Sequence, residues 1–405
     1  MYRRLFWPVL APSMLLGVAS GATVPVSVLA AMELGASAAL ASLIVAMVGA
    51  TALATTVFAG MLIDRIGDRR AMLLSTGAGA VVTALTVIAL VWAGPGALWL
   101  FTAASMLRAP VMNVWGLARQ ALVADQVAPL ERGRAMTALG GTMRAGSLVG
   151  PLASALLLLW LPLWSVFVFS ICCALLALAI LMSRRGSTLD DQAAAARAGG
   201  DRQPDAADLV VRWRAVALAG VSVATLAIAR VAQPVVVQLW GVHLSQSAST
   251  ISLLIAMGAA VELVMMWPGG YFKDRIGRSP VLVACLVVYG LGFVLMPTLP
   301  TLFGMVSAVF VMALGNGLGA GINMTIGADL SPPVGRAKFL GIWALFSGTG
   351  VLIGPATVSA LVAASGVGAA IFGIAGLALG GAAWMAGWAR TVDLPRGIGV
   401  EPSAK

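Results

Sequence analysis

The sequence has few charged residues, one histidine and three cysteines, and these scarcities narrow the possible classes of protein. Charged residues make up 10% of the 405-residue chain, whereas soluble domains carry about 25%. Cys172, Cys173 and Cys285 lie inside apolar stretches, so we interpret them as packing residues. His243 is isolated from other metal-ligating residue types, and no cofactor motif is present. The composition therefore excludes a soluble globule and argues against a metalloenzyme.

Long hydrophobic stretches dominate the chain, in which 60% of the residues are apolar. A helix of about 20 apolar residues crosses the hydrocarbon core of a bilayer, and twelve stretches reach that length. The alternating pattern of barrel strands is absent, so these stretches satisfy their backbone groups in lipid only as helices. The sequence predicts an all-α membrane protein with twelve transmembrane helices. They span approximately residues 6–32, 37–63, 71–92, 97–120, 135–160, 163–183, 215–241, 249–272, 279–297, 301–325, 338–363 and 367–389.

The distribution of Lys and Arg predicts the orientation of these helices. Basic residues occupy the amino terminus, the even-numbered loops and the carboxyl tail, while the odd-numbered loops hold none. Because cytoplasmic loops are enriched in basic residues, we expect both termini in the cytoplasm. The same spread along membrane-flanking loops argues against a nucleic-acid-binding face. A polar stretch divides the chain, which predicts four segments: a bundle at 1–183, a linker at 184–214, a bundle at 215–392 and a tail at 393–405.

Two sets of residues occur twice in the chain. The first set follows an apolar run and recurs after 210 residues, and the second recurs after 204 residues. Duplication of this kind is found in many secondary transporters, so we predict two pseudosymmetric six-helix bundles. The first set comprises Gly60, Asp64, Arg65 and Gly67, which Arg69 follows, and its second copy comprises Gly270, Asp274, Arg275 and Gly277, which Arg278 follows. The second set includes Asp125, Gly146, Gly150 and Pro151, repeated as Asp329, Gly350, Gly354 and Pro355.

The first repeated set has the character of a latch. Asp64 and Asp274 each end a helix, where the helix dipole disfavours negative charge, so each needs a compensating partner. Arg65 and Arg69 are candidates for Asp64, as is the start of a helix from the opposite half near residues 336–338; Asp274 would make the matching contact near Ala135. We interpret the set as a cytoplasmic latch between the halves, with a topology-fixing charge cluster as the alternative.

Four ionisable residues lie within the predicted spans: Arg108, Arg144, Arg230 and Glu262. Charges in the membrane are costly, so each is a functional candidate, although Arg144 is close enough to a helix end to extend to the interface. Glu262 is the single acid at mid-membrane and either exchanges a proton or forms a fixed ion pair with Arg230. Neutral candidates for a polar pathway are Gln233, Asn316 and Asn323, the last two seven residues apart on one predicted helix; they line a cavity or join helices.

The duplicated Gly-x-x-x-Asp-Arg-x-Gly string, the twelve spans and the central linker resemble the major facilitator superfamily. Arg108 resembles that family's membrane-embedded arginine. The string Gly146-x-x-x-Gly150-Pro151 resembles the motif of its proton-coupled drug exporters. The resemblance implies alternating access through a central cavity, and we expect a monomer in a bacterial cytoplasmic membrane.

Three functions are compatible with these residues. The first is a secondary active transporter that exports small amphipathic compounds in exchange for protons. The second is a transporter of an organic anion or lipid-like substrate balanced by Arg108 and Arg230, because three buried arginines outnumber one buried acid. The third, less favoured, is a membrane-embedded enzyme. We expect the partners to be a small-molecule substrate, protons and the lipid bilayer, with no cofactor, no metal and no nucleic acid.

Overall fold

The computed structural model describes residues 6–126, 132–183, 211–332 and 336–394, and nearly all of them are helical, which confirms the all-α prediction. The amino-terminal helices are α1 (Phe6–Glu33, with a 3₁₀ turn around Pro25), α2 (Ala38–Ile66), α3 (Asp68–Trp92), α4 (Ala97–Gln126), α5 (Arg132–Leu157) and α6 (Trp164–Met182). They are followed by α7 (Trp213–His243), α8 (Ala248–Arg275), α9 (Arg278–Thr298), α10a (Leu302–Leu318) and α10b (Ile322–Leu330). The last helical segment, Arg336–Val392, is divided by non-helical Gly366 into α11 before it and α12 after it.

Ten segments of the described residues are long and apolar enough to cross a membrane. Helix α5 is outside this set, and α11 and α12 count in it as one segment although Gly366 separates them. The structure is therefore that of an integral membrane protein. The total of twelve spans and the cytoplasmic position of the termini stay predictions.

The described residues form two compact units. Of the described residues, unit 1 contains 6–37, 47–126, 132–183 and 247–256, and unit 2 contains 38–46, 211–246, 257–332 and 336–394. Within unit 1 a buried apolar cluster includes Met72, Trp115 and Leu181. Within unit 2 the fully buried side chains include Tyr289 and Phe293, whose rings pack edge to face. The predicted segment bounds fall partly outside the described residues, and they stay predictions.

Glycines allow two helix pairs to approach at backbone contact distance. In unit 1 a Cβ at Gly146 would lie 2.3 Å from the carbonyl carbon of Gly17, and a Cβ at Gly150 would lie 2.4 Å from the amide nitrogen of Ala22. In unit 2 a Cβ at Gly350 would lie 2.5 Å from the carbonyl carbon of Ala227. No larger residue fits these contacts, so α1 packs on α5, and α7 on α11, through small residues.

The second unit repeats this packing at the sequence offsets of the duplication. Gly350 follows Gly146 by 204 residues, and Ala227 follows Gly17 by 210 residues. The neighbouring contact is also repeated, because a Cβ at Gly354 would lie 2.8 Å from the carbonyl oxygen of Ile228. The prolines that follow, Pro151 and Pro355, both lie inside helices. The repeated strings therefore correspond to a repeated helix crossing.

Two further hydrogen bonds join positions related by the same offsets. In unit 1 the hydroxyl of Ser249 donates to the carbonyl oxygen of Ala155 at 2.7 Å. In unit 2 the hydroxyl of Ser359 donates to the carbonyl oxygen of Ala39 at 2.8 Å. Ser249 follows Ala39 by 210 residues and Ser359 follows Ala155 by 204, so the two hydrogen bonds join equivalent positions with donor and acceptor exchanged. The duplication thus extends to polar contacts that the sequence comparison did not reveal.

The helix predicted at residues 301–325 is not continuous, which corrects one expectation. It ends at Leu318 and restarts at Ile322, and between the two parts Gly321 has a φ of +75°, a conformation that favours glycine. The break leaves carbonyl groups without helical hydrogen bonds inside a membrane helix. Such groups need other donors, and these come from the polar cluster described below.

The close approach at Gly146 predicts a specific effect on stability. Gly146→Ala places a methyl group against the backbone of α1, and overpacking of this kind costs about 1–3 kcal/mol. Gly140→Ala on the same helix is the matched control, because its Cβ would meet no described atom within 4 Å and alanine favours the helix. Thermal unfolding of the purified proteins should give a lower midpoint for Gly146→Ala alone. Equal midpoints would contradict the packing described here.

Candidate functional site

A polar cluster in unit 2 joins the three helices α7, α8 and α10a. The side chain of Asn316 on α10a donates from Nδ2 to Oε2 of Glu262 on α8 at 2.7 Å. Its Oδ1 accepts from Nε of Arg230 on α7 at 2.5 Å. The amide of Asn316 therefore connects the carboxylate to the guanidinium. Both ions are half-buried, as is Asn316, so the cluster has limited access to water.

The same cluster provides hydrogen-bond donors for the carbonyl groups at the break between α10a and α10b. Nη2 of Arg230 donates to the carbonyl oxygen of Gly319 at 3.0 Å, and Nζ of Lys273 donates to the carbonyl oxygen of Ala320. Both carbonyls follow the end of α10a, where the helix dipole favours positive charge. The break and the two cations thus stabilise each other. Lys273 is a site residue that we missed, because a lysine near a helix end was interpreted as a topology signal.

A second hydrogen bond extends the cluster towards α9. The hydroxyl of Tyr289 donates to Oε1 of Gln233, which lies three residues after Arg230 on α7. The side chain of Tyr289 is fully buried. Tyr289 was also missed, since an aromatic residue inside an apolar run has the pattern of a packing residue. Helix α7 continues through Pro234, the residue after Gln233.

Arg108 lies in unit 1 and faces a small cavity. The cavity has a volume of about 20 Å³, enough for roughly one water molecule. It is lined by residues of α1, α3, α4 and α6, among them Ser20, Thr76, Thr83 and Ser170. No hydrogen bond or ion pair joins the Arg108 guanidinium to another of the described residues. The cavity thus brings four hydroxyl-bearing residues and the Arg108 guanidinium together, and no acidic residue lines it.

The structure separates the other predicted pathway residues from the two sites. Asn323 lies on α10b beyond the break, and its carbonyl oxygen accepts from Nε1 of Trp343 at 2.9 Å. Its Oδ1 is buried without a hydrogen-bond partner among the described residues. Arg144 is half-buried on α5 of unit 1. Asn316 and Asn323 therefore do not act as a pair on one continuous helix face.

Residues of the repeated string make different contacts in the two units. In unit 2 Arg278 donates from Nη1 to Oδ1 of Asp274 at 3.1 Å and from Nε to Oδ2 of Asp329 at 3.2 Å, so it connects the ends of α8 and α10b at the start of α9. In unit 1 Nη2 of Arg69 donates to the carbonyl oxygen of Leu181 at 3.1 Å. The remaining members, Gly60, Asp64, Arg65, Gly270 and Arg275, lie at helix ends, where the three charged ones are exposed. The partners predicted near residue 135 and near residues 336–338 lie outside the described side chains.

A family model for the Major Facilitator Superfamily matches residues 9–229 and 216–405, which is nearly the whole chain. The chain belongs to the major facilitator superfamily. It is therefore a membrane transporter and not an enzyme.

Solved transporter structures share the fold of this chain, and one curated relative matches part of its sequence. The chain superimposes on the peptide transporter POT in complex with sulfate with a TM-score of 0.76, at 14% identity over 96% of this chain and 95% of that one. For a D-xylose-proton symporter the TM-score is 0.72, at 15% identity over 95% and 97%. A tetracycline resistance protein, class C, from Escherichia coli is 30% identical over 114 residues, and the match spans 28% of each chain. The structures share the fold with this superfamily member.

The amide bridge predicts unequal effects of two similar substitutions. Asn316→Leu removes the shared partner of Arg230 and Glu262, and leaving polar groups unsatisfied costs about 1–3 kcal/mol or more for charged groups. Asn323→Leu is the matched control, because it removes an amide whose oxygen has no partner among the described residues. Thermal unfolding in detergent should show a clear loss for Asn316→Leu and little change for Asn323→Leu. Equal losses would indicate that the bridge does not stabilise the fold.

Proposed function

We propose that this chain is a proton-coupled secondary transporter that exports small amphipathic organic compounds, with Glu262 as the proton carrier. The connection of Glu262 to Arg230 through Asn316 is the observation that carries the proposal. An acid within a membrane helix is costly and is retained where it binds ions or protons. The family, the partial match to a tetracycline resistance protein and the likeness to a proton symporter support the same function.

The chemistry follows from the protonation state of Glu262. The ionised carboxylate accepts from Asn316 and offsets the charge of Arg230 through the amide. When Glu262 gains a proton it loses its negative charge. The net positive charge of the cluster, which includes Arg230 and Lys273, then rises by one unit. The carboxyl group also becomes a donor, which weakens its demand for the amide of Asn316. Proton binding thus changes both the charge and the hydrogen bonding that hold α7, α8 and α10a together.

We propose that the cytoplasmic latch is part of the same transport mechanism. Arg278 forms ion pairs with both Asp274 and Asp329, so the string in unit 2 is stabilised within its own unit. Asp64 is exposed at the end of α2 and is the member that is available for a contact made in only one conformation. The substrate pathway, in this proposal, opens to one side of the membrane at a time while such contacts form and break.

Glu262→Gln tests the proton carrier. Gln keeps the hydrogen-bonding shape but cannot bind or release a proton, so uphill transport driven by a pH gradient should fall to background. Exchange of labelled for unlabelled compound needs no net proton movement and should remain measurable. The assay uses purified protein in liposomes, with tetracycline and ethidium as probes.

Glu33→Gln is the matched control, because Glu33 is exposed at the end of α1. It should transport at the wild-type rate. Uphill transport that survives in Glu262→Gln would reject Glu262 as the carrier, and loss of exchange as well would indicate a structural role.

A second candidate is a transporter of an organic anion, favoured by the position of Arg108. This guanidinium faces a hydroxyl-lined cavity and has no acidic partner among the described residues. An anionic group could supply the missing charge. The two candidates differ in the charge of the ligand that the protein prefers.

Arg108→Gln distinguishes these candidates by ligand-induced thermal stabilisation. If a substrate anion binds Arg108, the variant should bind benzoate or phenyl phosphate about tenfold more weakly, since a hydrogen bond to a charged group contributes about 1.5–3 kcal/mol. Its response to tetraphenylphosphonium, a cation of similar apolar character, should not fall. Arg70→Gln, which removes an exposed charge from the start of α3, is the control. Equal weakening for anions and the cation would count against the anion candidate.

A further inference from the structure

An open apolar groove runs along unit 2 between α9 and α12. It has a volume of about 510 Å³. Small and branched side chains form its walls, and Ser279 is its single polar residue. The walls include Pro280, Val283, Ala284 and Val287 of α9, and Ala386 and Ala389 of α12. The alanines leave space that larger residues would fill, so the groove can take a linear apolar chain.

One end of the groove carries positive charge. Arg390 follows Ala389 directly and lies one turn beyond Ala386 on the same face of α12. Its side chain is exposed, and no described carboxylate pairs with it. Arg214, at the start of α7, lies over the ring of Trp388 with its Cζ 6.0 Å from the ring centroid. The two arginines therefore lie at the same end of α12.

The acids near this end leave the arginines in excess. Arg278, at the start of α9, pairs with both Asp274 and Asp329, so these three residues together carry one net negative charge. Asp393 is exposed three residues after Arg390 and is the one acid on the described final turn. The arginines at this end are Arg390, Arg214 and Arg212, whose Nη2 also donates to the carbonyl oxygen of Val392 at 2.8 Å. Among the described residues the net charge at the mouth of the groove is therefore positive by one unit.

Exposed tryptophans indicate how deep the arginine-bearing end of the groove lies in the membrane. Trp213 and Trp384 are exposed near the ends of α7 and α12, and Nε1 of Trp384 donates to the carbonyl oxygen of Leu218 at 3.1 Å. Exposed tryptophans beside arginines are typical of the headgroup region. The groove then extends from the headgroups into the hydrocarbon core. An acyl chain has the shape and the polarity to occupy it.

We propose that this groove is a binding site for one anionic phospholipid, with an acyl chain between α9 and α12 and the phosphate at Arg390 and Arg214. Basic pockets at helix ends attract anionic head groups, and each arginine near the surface contributes about 1 kcal/mol. Neutral lipids gain the apolar contact but not the charge contact. The site therefore selects among lipids by headgroup.

Native mass spectrometry of the full-length protein tests the site with phosphatidylglycerol and phosphatidylcholine that carry the same acyl chains. With two arginines at about 1 kcal/mol each, the wild-type protein should retain one phosphatidylglycerol with a preference of about thirtyfold over phosphatidylcholine. Arg390→Gln should reduce that preference to about fivefold, the contribution left by Arg214, whereas Arg70→Gln should keep the wild-type value. Ala386→Phe should fill the groove and reduce the binding of both lipids, whereas Gly380→Phe, at an exposed position of α12 that does not line the groove and whose Cβ would meet no described atom within 4 Å, should not.

Stabilisation by added phosphatidylglycerol in a thermal unfolding assay provides a second measurement on the same variants. Glycerol phosphate, which carries the charge without the chains, should not compete for the site. Equal retention of the two lipids by the wild type would overturn the proposal, as would an identical loss in Arg390→Gln and Arg70→Gln. A co-purifying membrane protein that occupies the groove in place of lipid would also overturn it.

Discussion

Ionised side chains in a membrane must find compensation within the protein, and this constraint organises unit 2. Arg230 and Glu262 are too far into apolar helices to be solvated freely, and the amide of Asn316 provides an acceptor for one and a donor for the other. The break between α10a and α10b has the complementary requirement, because its open carbonyls need donors. Arg230 meets both requirements at once, so the charge and the break depend on the same residue.

The duplication places a second constraint on both units. The contacts of Gly146 with Gly17 and of Gly350 with Ala227 use the offsets of the repeated strings, as do the hydrogen bonds of Ser249 and Ser359. A helix crossing at backbone contact accepts only small residues, so it restricts sequence more strictly than ordinary packing does. The buried polar cluster is not repeated, because Ser20 and Ala52 stand 210 residues before Arg230 and Glu262. The helix crossing was therefore kept in both copies, whereas the cluster is specific to unit 2.

The sequence was sufficient to predict the helical fold and to identify the charged candidates Arg108, Arg230 and Glu262. Arg108, Arg230 and Glu262 were found because a charge inside an apolar run is conspicuous, and Asn316 because it is polar. Lys273 and Tyr289 were missed for physical reasons. A lysine near a helix end has the pattern of a topology signal, and the partner of a tyrosine depends on tertiary packing. The pairing of Asn316 with Asn323 failed because a periodicity argument assumes an unbroken helix, whereas Gly321 adopts a positive φ.

The break in helix 10 also limits how the site can work. Arg230 and Lys273 each donate to a carbonyl that follows the end of α10a, so the break itself holds both cations in place. In the proposed mechanism, proton binding at Glu262 raises the net charge of the cluster by one unit while these two contacts persist. A substrate anion then gains an attraction to the cluster that a neutral or cationic substrate does not gain. Under this proposal a measured preference for anions would favour symport over the exchange proposed for amphipathic compounds.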